Sequence, residues 1–266
     1  FAGAGVDTGG EVFSKTERTG LAFVSLAANG ERDFCFFRNP SADMTYLPSE
    51  LDTERISACT IFHYGSITLI DEPARTTTLT AVQQAKAQGK LISYDPNLRP
   101  PLWSSLDVAR KTILETIPLA DMVKVSEEEL GFVLLGNSPD KALTSEEVEA
   151  CGAEFMGRFT PVSLLCVTRG AKGCAWWTRN GDSGSAAGLP VTAVDTTGAG
   201  DGFIAAVMVG LLERNVTTAE AIFALPQEML AEIFSFANAV GALTTTRKGA
   251  IPALPTLAEV AAFRNG

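Results

Sequence analysis

Histidine is almost absent from this 266-residue sequence, occurring once at His63, and its five cysteines (Cys35, Cys59, Cys151, Cys166, Cys174) include no Cys-x-x-Cys pair. Neither a zinc site nor a disulfide framework is therefore suggested, and reducing, cytoplasmic surroundings fit best. Basic charge is also scarce: 21 Lys and Arg stand against 31 Asp and Glu, a net charge of −10. A phosphate backbone or an anionic membrane would be repelled over most of such a surface, so nucleic acid and membrane are poor partners. No run approaches the roughly 18 uncharged apolar residues of a membrane helix. Nothing fits Gly-x-x-x-x-Gly-Lys-Ser/Thr, which removes the P-loop nucleotide site. Internal repeats and low-complexity linkers are missing too.

What is present is apolar: 46% of residues are hydrophobic and 20% charged, enough to bury a large core as one α/β domain with a small appendage. Two β-rich runs, Leu21 to Leu26 and Asp33 to Phe37, flank Asn29-Gly30 and predict a β-hairpin. Phe34 and Phe36 alternate with Cys35 and Phe37, so both faces of that hairpin call for cover, as a lid or a subunit contact would give.

From about residue 58 apolar runs alternate with helical segments, the βαβ pattern. Strands are expected at Thr60 to Ile67, Lys90 to Tyr94, Met122 to Val125, Ser163 to Thr168 and Cys174 to Thr178, with another before Asp195. Helices are expected at Glu72 to Gln88, Leu106 to Thr116, Glu127 to Leu135, Ser145 to Phe159 and Gly202 to Glu213. The Gly- and Ser-rich stretch Asn180 to Gly188 reads as a surface loop. Ligands of such open sheets gather beyond the carboxyl ends of the strands.

The strongest local signal is Asp195-Thr196-Thr197-Gly198-Ala199-Gly200-Asp201-Gly202, followed at once by the apolar segment Phe203 to Leu212. A glycine loop opening a buried helix presents unpaired N–H groups with the helix dipole behind them, a site for negative charge. Asp201 at the same end could take a proton from a hydroxyl attacking a terminal phosphate. Read alone, Asp201 could equally be an N-cap after a tight turn. A dinucleotide fingerprint is disfavoured, because Asp201 would set a carboxylate where the pyrophosphate belongs.

The complete octet resembles the C-terminal signature of the ribokinase-like (PfkB) carbohydrate kinases. Phe62-His63-Tyr64-Gly65-Ser66, Ser93-Tyr94-Asp95-Pro96-Asn97-Leu98-Arg99, Lys124-Val125-Ser126-Glu127-Glu128-Glu129 and Thr244 to Thr256 are similar, in order and spacing, to the fructokinase subgroup. The resemblance implies a three-layer αβα sandwich with a mainly parallel sheet, formed by residues 1–18 and 39–266, and a small β lid at 19–38. It implies ATP-dependent phosphorylation of D-fructose to fructose 6-phosphate, with Mg²⁺ as cofactor and K⁺ as an activating ion. Kinases of the same fold acting on 2-keto-3-deoxygluconate, ribose or nucleosides are the alternative, and a catalytically silent sugar or nucleotide sensor is a further one.

By the same resemblance Asp201 is the base and the backbone of Gly198, Ala199 and Gly200 the anion hole. Arg99 contacts the sugar or the travelling phosphate, and Thr168, Gly170 and Gly173 line the nucleotide. Ser126 stands where the wider family has Asn, and Glu129 organises magnesium through water. Asn238 falls in the adenine pocket, while Asp195 and Thr197, with carbonyls around Thr246 to Gly249, match a monovalent-cation site. Lids of this family often pair between subunits, which implies a homodimer. His63 reads as a core or pocket-wall residue, and Trp176 and Trp177 as packing. The family's first strand and its Gly-Gly segment have no counterpart, since Phe1 to Gly10 already resembles the segment before the lid. The 266 residues are therefore expected to belong to a longer chain, and by themselves to fold poorly or bind sugar weakly.

Overall fold

The computed structural model describes residues 1–26, 32–38 and 40–265. Strands β1 (Leu21–Leu26) and β2 (Arg32–Phe37) pair antiparallel, Leu21 opposite Phe37 and Phe23 opposite Cys35. The expected turn at Asn29-Gly30 lies outside the described residues. Because side chains alternate across a strand, Leu21, Phe23, Cys35 and Phe37 share one face of this ribbon, and all four are exposed there. The rings of Phe23 and Phe37 meet edge to face at 5.5 Å.

The main body follows as α1 (Thr53–Ala58), β3 (Ile61–Gly65), α2 (Ala74–Ala87), β4 (Leu91–Asp95), α3 (Leu106–Thr116), β5 (Met122–Ser126), α4 (Glu127–Leu135), α5 (Ser145–Arg158) and β6 (Leu164–Thr168). Then come β7 (Gly173–Thr178), β8 (Ser183–Ala187), α6 (Ala199–Leu212), α7 (Ala219–Phe223), α8 (Gln227–Thr244) and α9 (Leu257–Asn265). Helix starts obey capping chemistry: the Ser126 and Thr144 hydroxyls accept the N–H groups of Glu129 and Glu147, whose carboxylates reach back to the cap amides.

Six strands form one sheet in the order β3-β4-β5-β6-β7-β8. The first four are parallel and the last two antiparallel. The strands are apolar on both faces, as a covered parallel sheet requires, and feed two separate cores. Ile92, Tyr94, Val123, Val125, Leu165, Val167 and Trp177 face the layer of α2 to α5. Leu91, Met122, Leu164, Cys166, Cys174 and Trp176 face the layer of α6 to α9. This is the three-layer αβα sandwich expected. Among the described residues no helix is long and apolar enough to cross a membrane.

Three expectations are corrected. Residues 183–187, within the stretch read as loop, form the edge strand β8, which is the further strand expected before Asp195. The small residues that signal a loop are what the neighbours demand: a Cβ on Gly184 would stand 2.3 Å from the Trp176 ring. The strand expected to run to Ile67 stops at Gly65 and tightens into a 3₁₀ turn, Ser66–Leu69. Helix α6 opens at Ala199 rather than Gly202, so Asp201 sits inside its first turn rather than at its cap.

Candidate active site

The site follows from the alternation of the parallel strands. On the face turned to α6, each strand begins apolar and ends polar: Ile61 then His63, Leu91 then Ser93 and Asp95, Met122 then Lys124, Cys166 then Thr168. The polar carboxyl ends meet the first turn of α6 there. Lys124 (5% exposed) and Asp95 (3%) form an ion pair of 3.0 Å. Burial pushes the Asp95 carboxyl up, and the Lys124 ammonium opposes that shift.

Asp201 is exposed, and it borders a cleft of about 160 Å³ with Phe36, His63, Gly65, Asp95, Asn97 and Arg99. The structure thus brings Asp201 and Arg99 to one cavity. Phe36 and Ile67 also line a larger cleft of about 700 Å³ under the ribbon, bordered by Gly20, Leu21, Ala22 and Arg38. Asp201 and Arg99 line the smaller of these two clefts and not the larger.

Gly198 caps α6 in the left-handed region, with φ of 82°, and a Cβ on it would stand 3.1 Å from Ala250 Cα. A side chain would be strained and crowded there. Amides in the first turn of a helix have no preceding turn to bond; that of Ala199 leans to Thr196 O at 3.3 Å, a weak contact. Gly200 is hemmed from below, since a Cβ would stand 3.1 Å from Lys124 Nζ. Its glycine is thus accounted for by packing within the protein.

The loop after β4 carries Arg99. The Asp95 carboxylate accepts the Asn97 N–H at 3.1 Å, Asn97 sits at φ 46°, and the Arg99 guanidinium bonds the Asn97 side chain at 2.8 Å. Glu129 fastens the loop from across the site: it accepts the Leu98 N–H at 2.6 Å with one oxygen and the Ser126 N–H at 2.8 Å with the other. Burial pushes the Glu129 carboxyl up, opposed by Lys124. Each oxygen keeps a second lone pair, and carboxylate oxygen is a donor that suits Mg²⁺ held through water. Among the described residues no three His, Cys, Asp or Glu cluster as a metal cage, so such an ion would rely on phosphate and water.

Ser126 and Thr168 stand opposite each other at the ends of β5 and β6. Gly170 is open, with nothing within 4 Å of a Cβ, whereas one on Gly173 would lie 2.1 Å from Ala186 O. Gly173 is therefore required both by the passage of β8 and by its own φ of 98°. Asn238 is buried, and its amide donates to Ala186 O and Ala187 O at 3.0 and 3.1 Å, lashing α8 to β8. Asp195 accepts Thr197 N–H and hydroxyl (3.0 and 2.7 Å) and the Gly249 N–H (2.9 Å), joining the octet to the loop expected to share its cation.

Sequence reasoning gave Lys124 and Asp95 no role and read His63 as a core or pocket-wall residue. His63 Nδ1 lies 2.9 Å from Ser93 Oγ and its ring borders the Asp201 cleft. One signal could have found all three: a polar residue at the inward phase of a strand, on the face whose earlier positions are apolar.

The profile of the "pfkB family carbohydrate kinase" matches residues 1–257. Fructokinase-2 of Oryza sativa subsp. japonica is 46% identical over 254 residues, 96% of this chain and 70% of that protein. A fructokinase from Xylella fastidiosa with bound ATP superposes with a TM-score of 0.86 at 32% identity, over 100% of this chain and 79% of that one. A double mutant of Vibrio cholerae fructokinase, with fructose, ADP and potassium bound, gives 0.79 at 32% identity, over 98% and 78%. A family model that matches residues 1–257, together with a relative 46% identical over 96% of the sequence, means that this chain belongs to the pfkB family of carbohydrate kinases.

Proposed function

We propose that this protein transfers the γ-phosphoryl group of ATP to the 6-hydroxyl of fructose, giving fructose 6-phosphate and ADP. The observation that carries the reading is the shared cleft of Asp201 and Arg99 at the head of α6, in a chain whose relatives are fructokinases. Asp201 takes the proton of the sugar hydroxyl as its oxygen attacks the γ-phosphorus. The bond from that phosphorus to the β–γ bridging oxygen breaks, ADP departs, and the proton later leaves Asp201 to solvent. The amides of Gly198, Ala199 and Gly200 and the Arg99 guanidinium receive the charge that spreads over the phosphoryl oxygens.

Ser126, Thr168 and Gly170 border the strand ends where the nucleotide lies. Asn238 and Gly173 serve it indirectly, by fixing β8. Glu129 holds Mg²⁺ through water, and the ion, when bound, neutralises phosphate charge. Asp195 and Thr197 orient the loop whose carbonyls receive K⁺, the ion present in the Vibrio cholerae protein. The β1–β2 ribbon acts as the lid: Phe36 reaches into the Asp201 cleft, and closure there excludes the water that would otherwise hydrolyse ATP. The opposite, exposed face of the ribbon is apolar and suits a second copy of the chain.

The test is ADP release by the full-length protein across fructose, ribose, nucleosides and 2-keto-3-deoxygluconate. Fructose should give the highest kcat/KM, and Asp201→Asn should lower kcat by about 10³-fold with little change in KM. Preference for another acceptor would change the substrate, and undiminished turnover by Asp201→Asn would remove the base.

A further inference from the structure

Lys124 is an unusual residue to find buried, since an ammonium taken out of water is costly unless it is paired. Its Nζ lies 3.0 Å from Asp95 Oδ2 and 3.3 Å from Oδ1. The same nitrogen would stand only 3.1 Å from a Cβ on Gly200, a tight contact. The ammonium thus sits directly beneath the backbone of the first turn of α6, one peptide layer from the side on which Asp201 opens to the cleft.

We propose that Lys124 is a positioning residue for phosphoryl transfer: its ammonium, held by Asp95 and packed under Gly200, fixes the amides that receive the migrating phosphoryl group and places a permanent positive charge behind them. This deepens the kinase reading and rests on it. At 5% exposure and with Asp95 across it, Lys124 cannot reach substrate, so it acts through the helix start. Burial works against its charge, but Asp95, Glu129 and Asp201 together hold the ammonium above its ordinary value. The charge therefore remains in place throughout the working range of pH. A fixed donor or charge behind a developing anion is most effective where water is excluded and reorganisation is small.

A purely structural alternative is that Lys124 only neutralises Asp95. The two are separated by a cycle in the full-length protein: wild type, Asp95→Asn, Lys124→Met and the double variant, each assayed for kcat and KM with fructose and ATP. In the Asp95→Asn background the pairing duty is gone, so a structural lysine becomes dispensable. The proposal expects Lys124→Met to lower kcat by about 10²-fold in both backgrounds, with KM for fructose changed by less than about threefold. Loss of the effect in the Asp95→Asn background, to within about threefold, overturns it. Should Asp95→Asn not fold, rescue by the conservative variant decides: Lys124→Arg, which keeps a positive charge beside Asp95, should hold kcat within about tenfold of wild type where Lys124→Met loses about 10²-fold, and equal losses overturn the proposal. Wild-type activity on fructose is the separate control: its absence sinks the kinase reading itself, whatever Lys124 does.

Discussion

Glu129 accepts the Leu98 N–H at 2.6 Å, so the head of α4 holds the loop that carries Arg99. One carboxylate thereby links the cap of a helix to a loop from the neighbouring strand.

The first prediction follows from that link. Glu129→Gln keeps the shape but replaces one accepting oxygen by a donor, so either Leu98 or Ser126 loses its partner. The loss expected in kcat/KM is about 10- to 100-fold, with a raised Mg²⁺ requirement. Kinetics over a magnesium series would check it, and an unchanged requirement would remove Glu129 from the magnesium role.

Breaking the buried pair should also cost stability. Lys124→Met leaves Asp95 charged and unpaired at 3% exposure, a change worth about 3–5 kcal/mol of unfolding free energy. Restoration by adding Asp95→Asn, followed by urea unfolding, is expected because the stranded carboxylate is then gone.

Two glycines of the loop after β6 should respond differently. Gly170→Ala meets no neighbour, at φ 55°, and should cost about 1 kcal/mol for the left-handed backbone. Gly173→Ala places a methyl 2.1 Å from Ala186 O at φ 98°, so β8 must move; several kcal/mol, at least about 3, is expected. Equal losses in thermal or urea unfolding would contradict the account of Gly173.

His63 is the single histidine of the sequence, so its ring gives one resolvable proton titration. Burial lowers its pKa below the ordinary value, while Asp201 raises it and Lys124 lowers it. The folded state therefore binds this proton less readily than the unfolded chain does. The stability it contributes is complete above about pH 6.5 and declines as pH falls through that value. An NMR titration should place the midpoint below the usual histidine range. Asp201→Asn should move it lower still; a rise would mean that the two groups do not share the cleft.

Much of the fold was legible because parallel strands and their helices carry strong periodic signals: α3 and α4 begin and end where apolar spacing and caps put them. The octet at 195–202 was legible because glycines and acids at fixed spacing have few uses. What escaped was decided by long-range contact. Strand β8 looks like a loop because the neighbouring Trp176 leaves room only for glycine at 184. Gly200 looks like a concession to phosphate, yet the nearest atom to its missing side chain belongs to Lys124, 76 positions away in sequence by subtraction of the two residue numbers. No local pattern announces such a pair.

Adjacent residues of β7 give the molecule a pair of optical gauges. Trp176 stacks on Phe234 at 4.5 Å, in the layer that also holds α6, and Trp177 lies against Gly152 in the opposite layer. Replacing Trp177 and Trp103, which share the opposite layer, by phenylalanine leaves Trp176 as the remaining indole and confines the fluorescence to one side of the sheet. Loosening of the slab that bears Asp201 then becomes observable apart from its counterpart, within a single strand's width.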